Sequence, residues 1–183
     1  MFELARFKHW STEGCRMNNY SFKPIGIIHS PFLQPAGTPI QSRMAKNVEG
    51  SVEIFSAFTA GLCDLDGFDR IWLLYAFGQA ATAPLLVRPF LDQREHGVFA
   101  TRSPCRPNAI GMSCTRLLAV EGNRLRVGEL DIVDGTPLLD IKPYVPAFDS
   151  FQGGRVGWLE GKGIELKVAD ERFQPSPENQ RRS

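Results

Sequence analysis

The stretch Ser113–Leu130, SCTRLLAVEGNRLRVGEL, reads as two strands, Ser113–Glu121 and Arg124–Leu130, set about the turn pair Gly122–Asn123. Toward the N-terminus, Phe68–Phe77 (FDRIWLLYAF) predicts a buried strand, because β-branched and aromatic residues dominate and its length is right. Trp72, Tyr75 and Phe77 within it read as core residues. Gly50–Phe55 (GSVEIF) alternates and predicts another strand. Pro24–Ser30 (PIGIIHS) is the first strand, stopped by Pro31, with His29 at its end. Toward the C-terminus, Thr136–Ile141 follows a second turn pair, Asp134–Gly135, and Gly97–Thr101 adds a further strand. Only Ala57–Leu65, with Phe58, Leu62 and Leu65 at helical spacing, predicts a short helix. Pro35, Gly37 and Pro39 make 33–47 a long loop. The chain is therefore expected to be mostly β: a single barrel-like domain of antiparallel strands with one or two short helices. No strand leads into a GxGxxG loop, which disfavours the usual dinucleotide-type cofactor fold.

A length of 183 residues suits one domain with tails. Residues 1–19 show no clear period and read as an N-terminal extension; Met17 could be the true start. Residues 171–183, ERFQPSPENQRRS, read as a disordered tail, which leaves 20–170 as the domain. A hydrophobic share of 43% permits a sizeable core. The formal charge is only +1, so a nucleic-acid partner must be met by a local basic patch. Cys15, Cys63, Cys105 and Cys114 form no CxxC pair, and His9, His29 and His96 form no HExxH, so no metal site is expected. Free thiols suit a reducing compartment. The run Ile71–Phe77 is far too short to span a bilayer, and MFELARFKHWSTEGCR lacks the apolar core of a signal peptide. A cytoplasmic protein without a membrane partner is expected.

Two segments carry chemistry. In Phe99–Ser113, FATRSPCRPNAIGMS, the prolines stiffen the backbone, so Arg102 and Arg106 can be aimed at a phosphate or carboxylate at low entropic cost. The plain alternative is a rigid turn with solvated arginines. Cys105 has no histidine beside it to make it a nucleophile. In Asp131–Tyr144, DIVDGTPLLDIKPY, a strand would place Asp140 and Lys142 two residues apart on one side, with Tyr144 following. The plain alternative here is a hairpin in which Asp134–Gly135 turns and Asp131 caps. Residues 88–126 hold seven arginines against Asp92, Glu95 and Glu121, whereas 129–149 hold five acids against Lys142 alone. A basic zone beside an acidic one suits a polyanion docked next to a bound cation, and equally suits pairing between the zones.

The combined motif GVFATRSPCRPNAIGMS and DIVDGTPLLDIKPYVP resembles the signature of the TrmO family of tRNA methyltransferases. PIGIIHSPF and GFDRIWLLYAF resemble its other two blocks, so the likeness covers about residues 22–150. The resemblance implies a β-barrel methyltransferase that works as a homodimer, with S-adenosylmethionine as cofactor. It further implies methylation of N6 of threonylcarbamoyladenosine at position 37 of a tRNA anticodon loop. The cofactor site it implies comprises Gln41, Ser42, Arg43 and Met44; Gly78 and Gln79; Arg102; Cys114; and Leu130, Asp131, Ile132 and Val133. Gly78 stands where the family frequently has a histidine. On that basis Asp131 suits the cofactor's positive charge and Arg102 its carboxylate. Arg106 and Asn108 remain for the RNA or its threonyl carboxylate. The target nitrogen is amide-like and weakly nucleophilic, so Asp140 or Tyr144 is a candidate base, with Lys142 supporting the reacting group. Two other classes compete: a non-catalytic RNA-binding or regulatory barrel, and a metal-dependent hydrolase built on the aspartates.

Overall fold

A computed structural model describes residues 20–78, 83–162 and 168–170. The extension 1–19, the tail 171–183 and Gln79 lie outside the described residues. The strands are β1 (Gly26–His29), β2 (Glu49–Ile54), β3 (Arg70–Ala76), β4 (Leu86–Val87), β5 (His96–Gly97), β6 (Ile110–Glu121), β7 (Arg124–Gly128) and β8 (Thr136–Pro143). Six of them close an antiparallel barrel in the order β1-β2-β7-β6-β3-β8, while β4 and β5 form a separate two-stranded ribbon. Among the described residues helix is limited to one α-turn, α1 (Pro146–Asp149), and short 3-10 turns.

Closure depends on β6. Its first half pairs with β3, from Ala76↔Ile110 to Arg70↔Arg116. Its second half pairs with β7, from Arg116↔Gly128 to Glu121↔Arg124, with a register shift between Leu117 and Ala119. A bulge there bends and twists the strand, which is how one strand serves two neighbours at different angles. The β6–β7 connection is the expected Gly122–Asn123 turn, with Gly122 at φ +63. Asn123 exchanges two bonds with the end of β2, its carbonyl accepting from Ile54 N–H at 2.8 Å and its side-chain amide donating to Ile54 O at 3.0 Å.

Strand alternation fills the interior. Ile28, Val52, Ile54, Ile71, Leu73, Tyr75, Leu125, Val127 and Leu138 are buried, joined by Leu62 and Leu65 from the 3-10 turns and by Leu130 and Ile132. Each such aliphatic side chain contributes roughly 1.5–3 kcal/mol by leaving water. The interior of β6 differs, because its inward positions are Gly111, Ser113 and Thr115, all buried.

Three expectations need correction. Gly97–Thr101 is not a strand: only His96–Gly97 pairs, and Val98–Ala100 is a 3-10 turn. Thr101 folds back on it, donating from both its amide (3.1 Å) and its hydroxyl (2.9 Å) to Val98 O. Ala57–Leu65 is not a continuous helix but 3-10 turns at Ser56–Leu62 and Leu65–Gly67, interrupted by Asp64 at φ 62. Asp134–Gly135 does turn the chain, with Gly135 at φ +75, yet it makes no hairpin between β7 and β8. The strand before it ends at Gly128 because Glu129 takes φ 59. The turn is fastened instead to β1: Gly135 N–H donates to Ile28 O at 2.9 Å, and Asp134 Oδ1 accepts from Ser30 N–H at 3.0 Å. His29, at the end of β1, lies between Glu53 (3.5 Å) and Asp134 (3.6 Å).

The β1 seam gives a test. A Cβ on Gly26 would sit 2.2 Å from the Glu53 carbonyl oxygen, a backbone atom that cannot rotate away. Gly61 has nothing within 4 Å of that position. Gly26→Ala should therefore cost about 1–3 kcal/mol in denaturant unfolding, whereas Gly61→Ala should stay within about 0.5 kcal/mol of the parent. Equal midpoints for the two variants would refute the close approach.

Candidate functional site

The site is built around a carboxylate that the core pulls inward. Asp131 lies between Leu130 and Ile132, both buried, so the backbone on either side is anchored in apolar packing. Its Oδ1 is buried and has no hydrogen-bond partner. Burial is the largest influence on this carboxyl and pushes it up to about 6, against opposing hydrogen bonds from the Ser113 side chain and the backbone, including Ser42, and the charge of Arg102. Near neutral pH the group is thus ionised but short of partners, a favourable place for a cation.

Ser113 continues the polar line into the barrel. Its Oγ lies 3.1 Å from the Tyr75 hydroxyl, and Tyr75 is only 5% exposed. Burial, then the Asp131 charge, raises the phenol above its ordinary range. The Tyr75 ring fits because residue 111 is glycine: a Cβ there would lie 2.2 Å from the ring. At the next inward position Thr115 Oγ1 is also buried without a partner. Tyr75 is core, as its strand position suggests, but its hydroxyl belongs to the site. Ser113 is absent from the expected residues. The signal for it is strand alternation, which puts hydroxyls at 113 and 115 on the face that other strands fill with aliphatics.

Two loops bring the remaining groups. The 3-10 turn Ser42–Met44 follows Gln41, whose carboxamide oxygen accepts from Arg102 Nη1 at 2.5 Å. Arg102 is exposed and stands on a loop braced by its own hydroxyls: Ser103 N–H donates to Thr101 Oγ1 (3.3 Å), and Cys105 N–H to Ser103 Oγ (3.2 Å). Arg106 donates to Thr101 O at 3.4 Å, so part of its donor set steadies the loop. Asn108 is exposed.

The structure thus brings together Gln41, Ser42, Arg102 and Asp131. Leu130 and Ile132 are core residues flanking them, and Val133 is half-buried, its carbonyl accepting from Thr136 Oγ1 at 2.6 Å. Arg43 is exposed and Met44 half-buried beside them in the turn; Gly78 is exposed just after β3. Cys114 alternates with Ser113 and so points away from the interior, beside Arg70, which pairs with Glu129 at 2.9 Å. Asp140, Lys142 and Tyr144 make a second cluster. Lys142 Nζ is 2.8 Å from Asp140 Oδ2, both side chains well exposed, and the Tyr144 ring meets Trp72 edge-on at 5.8 Å. Among the described residues no three His, Cys, Asp or Glu side chains converge as a metal site requires. No described helix is long and apolar enough to cross a membrane.

Comparison with known proteins identifies relatives of this chain. The family model for the tRNA-methyltransferase O N-terminal domain matches residues 27–150. A probable S-adenosyl-L-methionine-binding protein of Pyrococcus abyssi is 53% identical over 154 residues, which are 83% of this chain and 84% of that protein. The tRNA (adenine(37)-N6)-methyltransferase of Escherichia coli is 36% identical over 154 residues, 79% of this chain and 66% of that one. The crystal structure of TrmO from Pseudomonas aeruginosa superposes with a TM-score of 0.65 at 38% identity, covering 77% of this chain and 63% of that chain. This chain therefore spans less than two thirds of that solved structure and most of the archaeal relative. The matched segment runs from Ile27 in β1 through α1 and takes in both site loops, and on that ground the chain belongs to the tRNA-methyltransferase O family.

Proposed function

We infer that this chain is an S-adenosylmethionine-dependent tRNA methyltransferase acting on N6 of threonylcarbamoyladenosine at position 37 of the anticodon loop. The observation that carries the reading is the unpartnered buried oxygen of Asp131 beside Arg102, Ser42 and Gln41. A ligand with a positive centre and a carboxylate suits that pairing of an unsatisfied anion with a forked cation. The name of the Pyrococcus relative supports the cofactor, and that of the Escherichia relative supports the reaction. A non-catalytic RNA-binding barrel has no specific observation in its favour.

When bound, the cofactor supplies a methyl group activated on a sulfonium. Asp131 balances the positive charge, and Arg102, with one donor committed to Gln41, uses its others for the carboxylate. Arg106 and Asn108 read the RNA or its threonyl carboxylate. Methyl transfer needs little covalent help from protein, so alignment dominates. The amide-like nitrogen must lose its proton, and Asp140 or Tyr144 takes it, with Lys142 holding the reacting group. The same reading makes the protein a cytoplasmic homodimer. In support, the outer wall of β3 and β6 presents Ile110 and Met112, 39% and 48% exposed, next to Trp72 and Leu74.

Three outcomes test it. Incubation with cofactor and tRNA should yield the N6-methylated threonylcarbamoyladenosine on nucleoside mass analysis; equal methylation of unmodified transcript would point to a plain adenine methyltransferase. Asp131→Asn separates binding from folding. The parent carboxyl titrates near 6 when folded and near its ordinary 3.8 when unfolded. Its contribution to stability is thus complete below 3.8 and is lost as pH rises through about 6. Asp131→Asn should therefore melt higher than the parent at pH 8, and not at pH 4, while binding S-adenosylmethionine about 1–3 kcal/mol more weakly in calorimetry. Finally, Met112→Asp should shift the sedimenting species from dimer to monomer without lowering the melting temperature; an unaltered dimer would move the interface elsewhere.

A further inference from the structure

The family match ends at residue 150, yet the chain beyond it touches both loops of the candidate site. After α1 it reaches a 3-10 turn, Gly157–Leu159. The Trp158 ring stacks on His96 with centroids 4.6 Å apart and planes 26° from parallel. The indole N–H donates to Ala100 O at 2.8 Å. Ala100 lies two residues before Arg102.

A shared anion fastens this stack. His96 Nε2 lies 3.1 Å from Asp92 Oδ2, and Lys162 Nζ reaches the same oxygen at 2.8 Å. Asp92 Oδ1 accepts from Gln93 N–H at 2.7 Å. The Asp92 side chain is 9% exposed. Lys162, then His96, holds its carboxyl well below the usual range, so it stays an anion. Asp92 and His96 flank the turn into β5, which runs directly into the 3-10 turn Val98–Ala100.

Val168 and Ala169 meet the other loop. Val168 bridges Pro39, Gly37 N–H donates to Ala169 O at 2.9 Å, and Ala169 N–H donates to Thr38 O at 2.7 Å. Pro39 lies two residues before Gln41, the acceptor for Arg102. The segment is thus attached close to each partner of the Gln41–Arg102 contact, on loops that the barrel ladder does not hold.

We propose that residues 157–162 and 168–170 form a strap that sets Arg102 against Gln41, with Trp158 as a positioning residue for cofactor binding. The assignment rests on reading the two loops as the cofactor site. The physical gain is preorganisation: the strap orders the loops before the ligand arrives, so the ligand's binding energy is not spent on ordering them. Trp158 acts through the Ala100 carbonyl and the His96 ring, and the core residues of the barrel do not depend on it.

The test uses the full chain with Trp158→Ala, Trp158→Phe, Arg102→Ala and the Trp158→Ala/Arg102→Ala double variant. Amide hydrogen exchange is followed without ligand, and S-adenosylmethionine affinity is followed by calorimetry. In Trp158→Ala the amides of Thr101, Ser103 and Cys105 should exchange about tenfold faster or more, with β3 and β6 amides unchanged. Cofactor affinity should fall about tenfold. Trp158→Phe, which keeps a stacking ring and loses only the indole N–H, should fall between parent and Trp158→Ala in both readouts. In the Arg102→Ala background, Trp158→Ala should cause no further loss of affinity. Unchanged exchange at Thr101–Cys105 overturns the strap whatever the cofactor does. Additive affinity losses overturn the route through Arg102. If the loop amides respond as expected but the parent protein binds no cofactor, the fault lies in the cofactor reading, and the role assigned to Trp158 falls with it.

Discussion

One strand has to turn a corner. β6 pairs with β3 along its first half and β7 along its second, and the ladder shifts between Leu117 and Ala119 just past the handover at Arg116. That demand shapes the chemistry as well as the fold. The inward face of β6 gives up bulk where it meets β3, with Gly111 under the Tyr75 ring and Ser113 against its hydroxyl. A larger residue at 111 would evict the ring, and without Ser113 the phenol would lose its partner. Asp131 then has that hydroxyl for a neighbour, at the edge of an interior that the other strands fill mostly with aliphatic side chains.

The same arrangement opposes stability to function. A carboxylate drawn into apolar packing, with one oxygen left unsatisfied, destabilises the folded state at neutral pH. The flanking Leu130 and Ile132 supply the burial that keeps it there. A barrel with many fully buried Ile, Leu and Val side chains tolerates such a group, as functional sites commonly require.

Much of the barrel is legible in the sequence because its strands follow the rule of two. FDRIWLLYAF, GSVEIF and the Gly122–Asn123 hairpin declare strand, turn and burial locally. What escapes is whatever long-range contacts decide. Asp134–Gly135 has the composition of a hairpin turn, but its bonds go to Ile28 and Ser30, far back in the chain. Gly97–Thr101 has strand-like residues, yet the Thr101 hydroxyl closes a 3-10 turn on Val98. At the site, Arg102 and Asp131 stand out through their motifs, and Asp140 with Lys142 through spacing, which the ion pair between them matches. Ser113 is hidden by its ordinariness, since a serine in a strand announces nothing until its neighbours on the inward face are known.

The β2–β7 wall has a consequence for how a polyanion would approach. Arg124 and Arg126 look available in the sequence, but Arg124 lies 3.5 Å from Glu53, and Arg126 3.6 Å from Glu49 and 3.9 Å from Glu121. The basic zone of the chain is thus partly neutralised by acids from β2 and by Glu121 at the end of β6, not by the acidic stretch that follows it. Those arginines carry their counterions covalently, as neighbouring side chains. Held by those carboxylates, they are poorly available to neutralise phosphates and release the cations condensed there, so they would add little to the steepness with which binding weakens in salt. Charge counted along the chain and charge available at the surface are different quantities in this barrel.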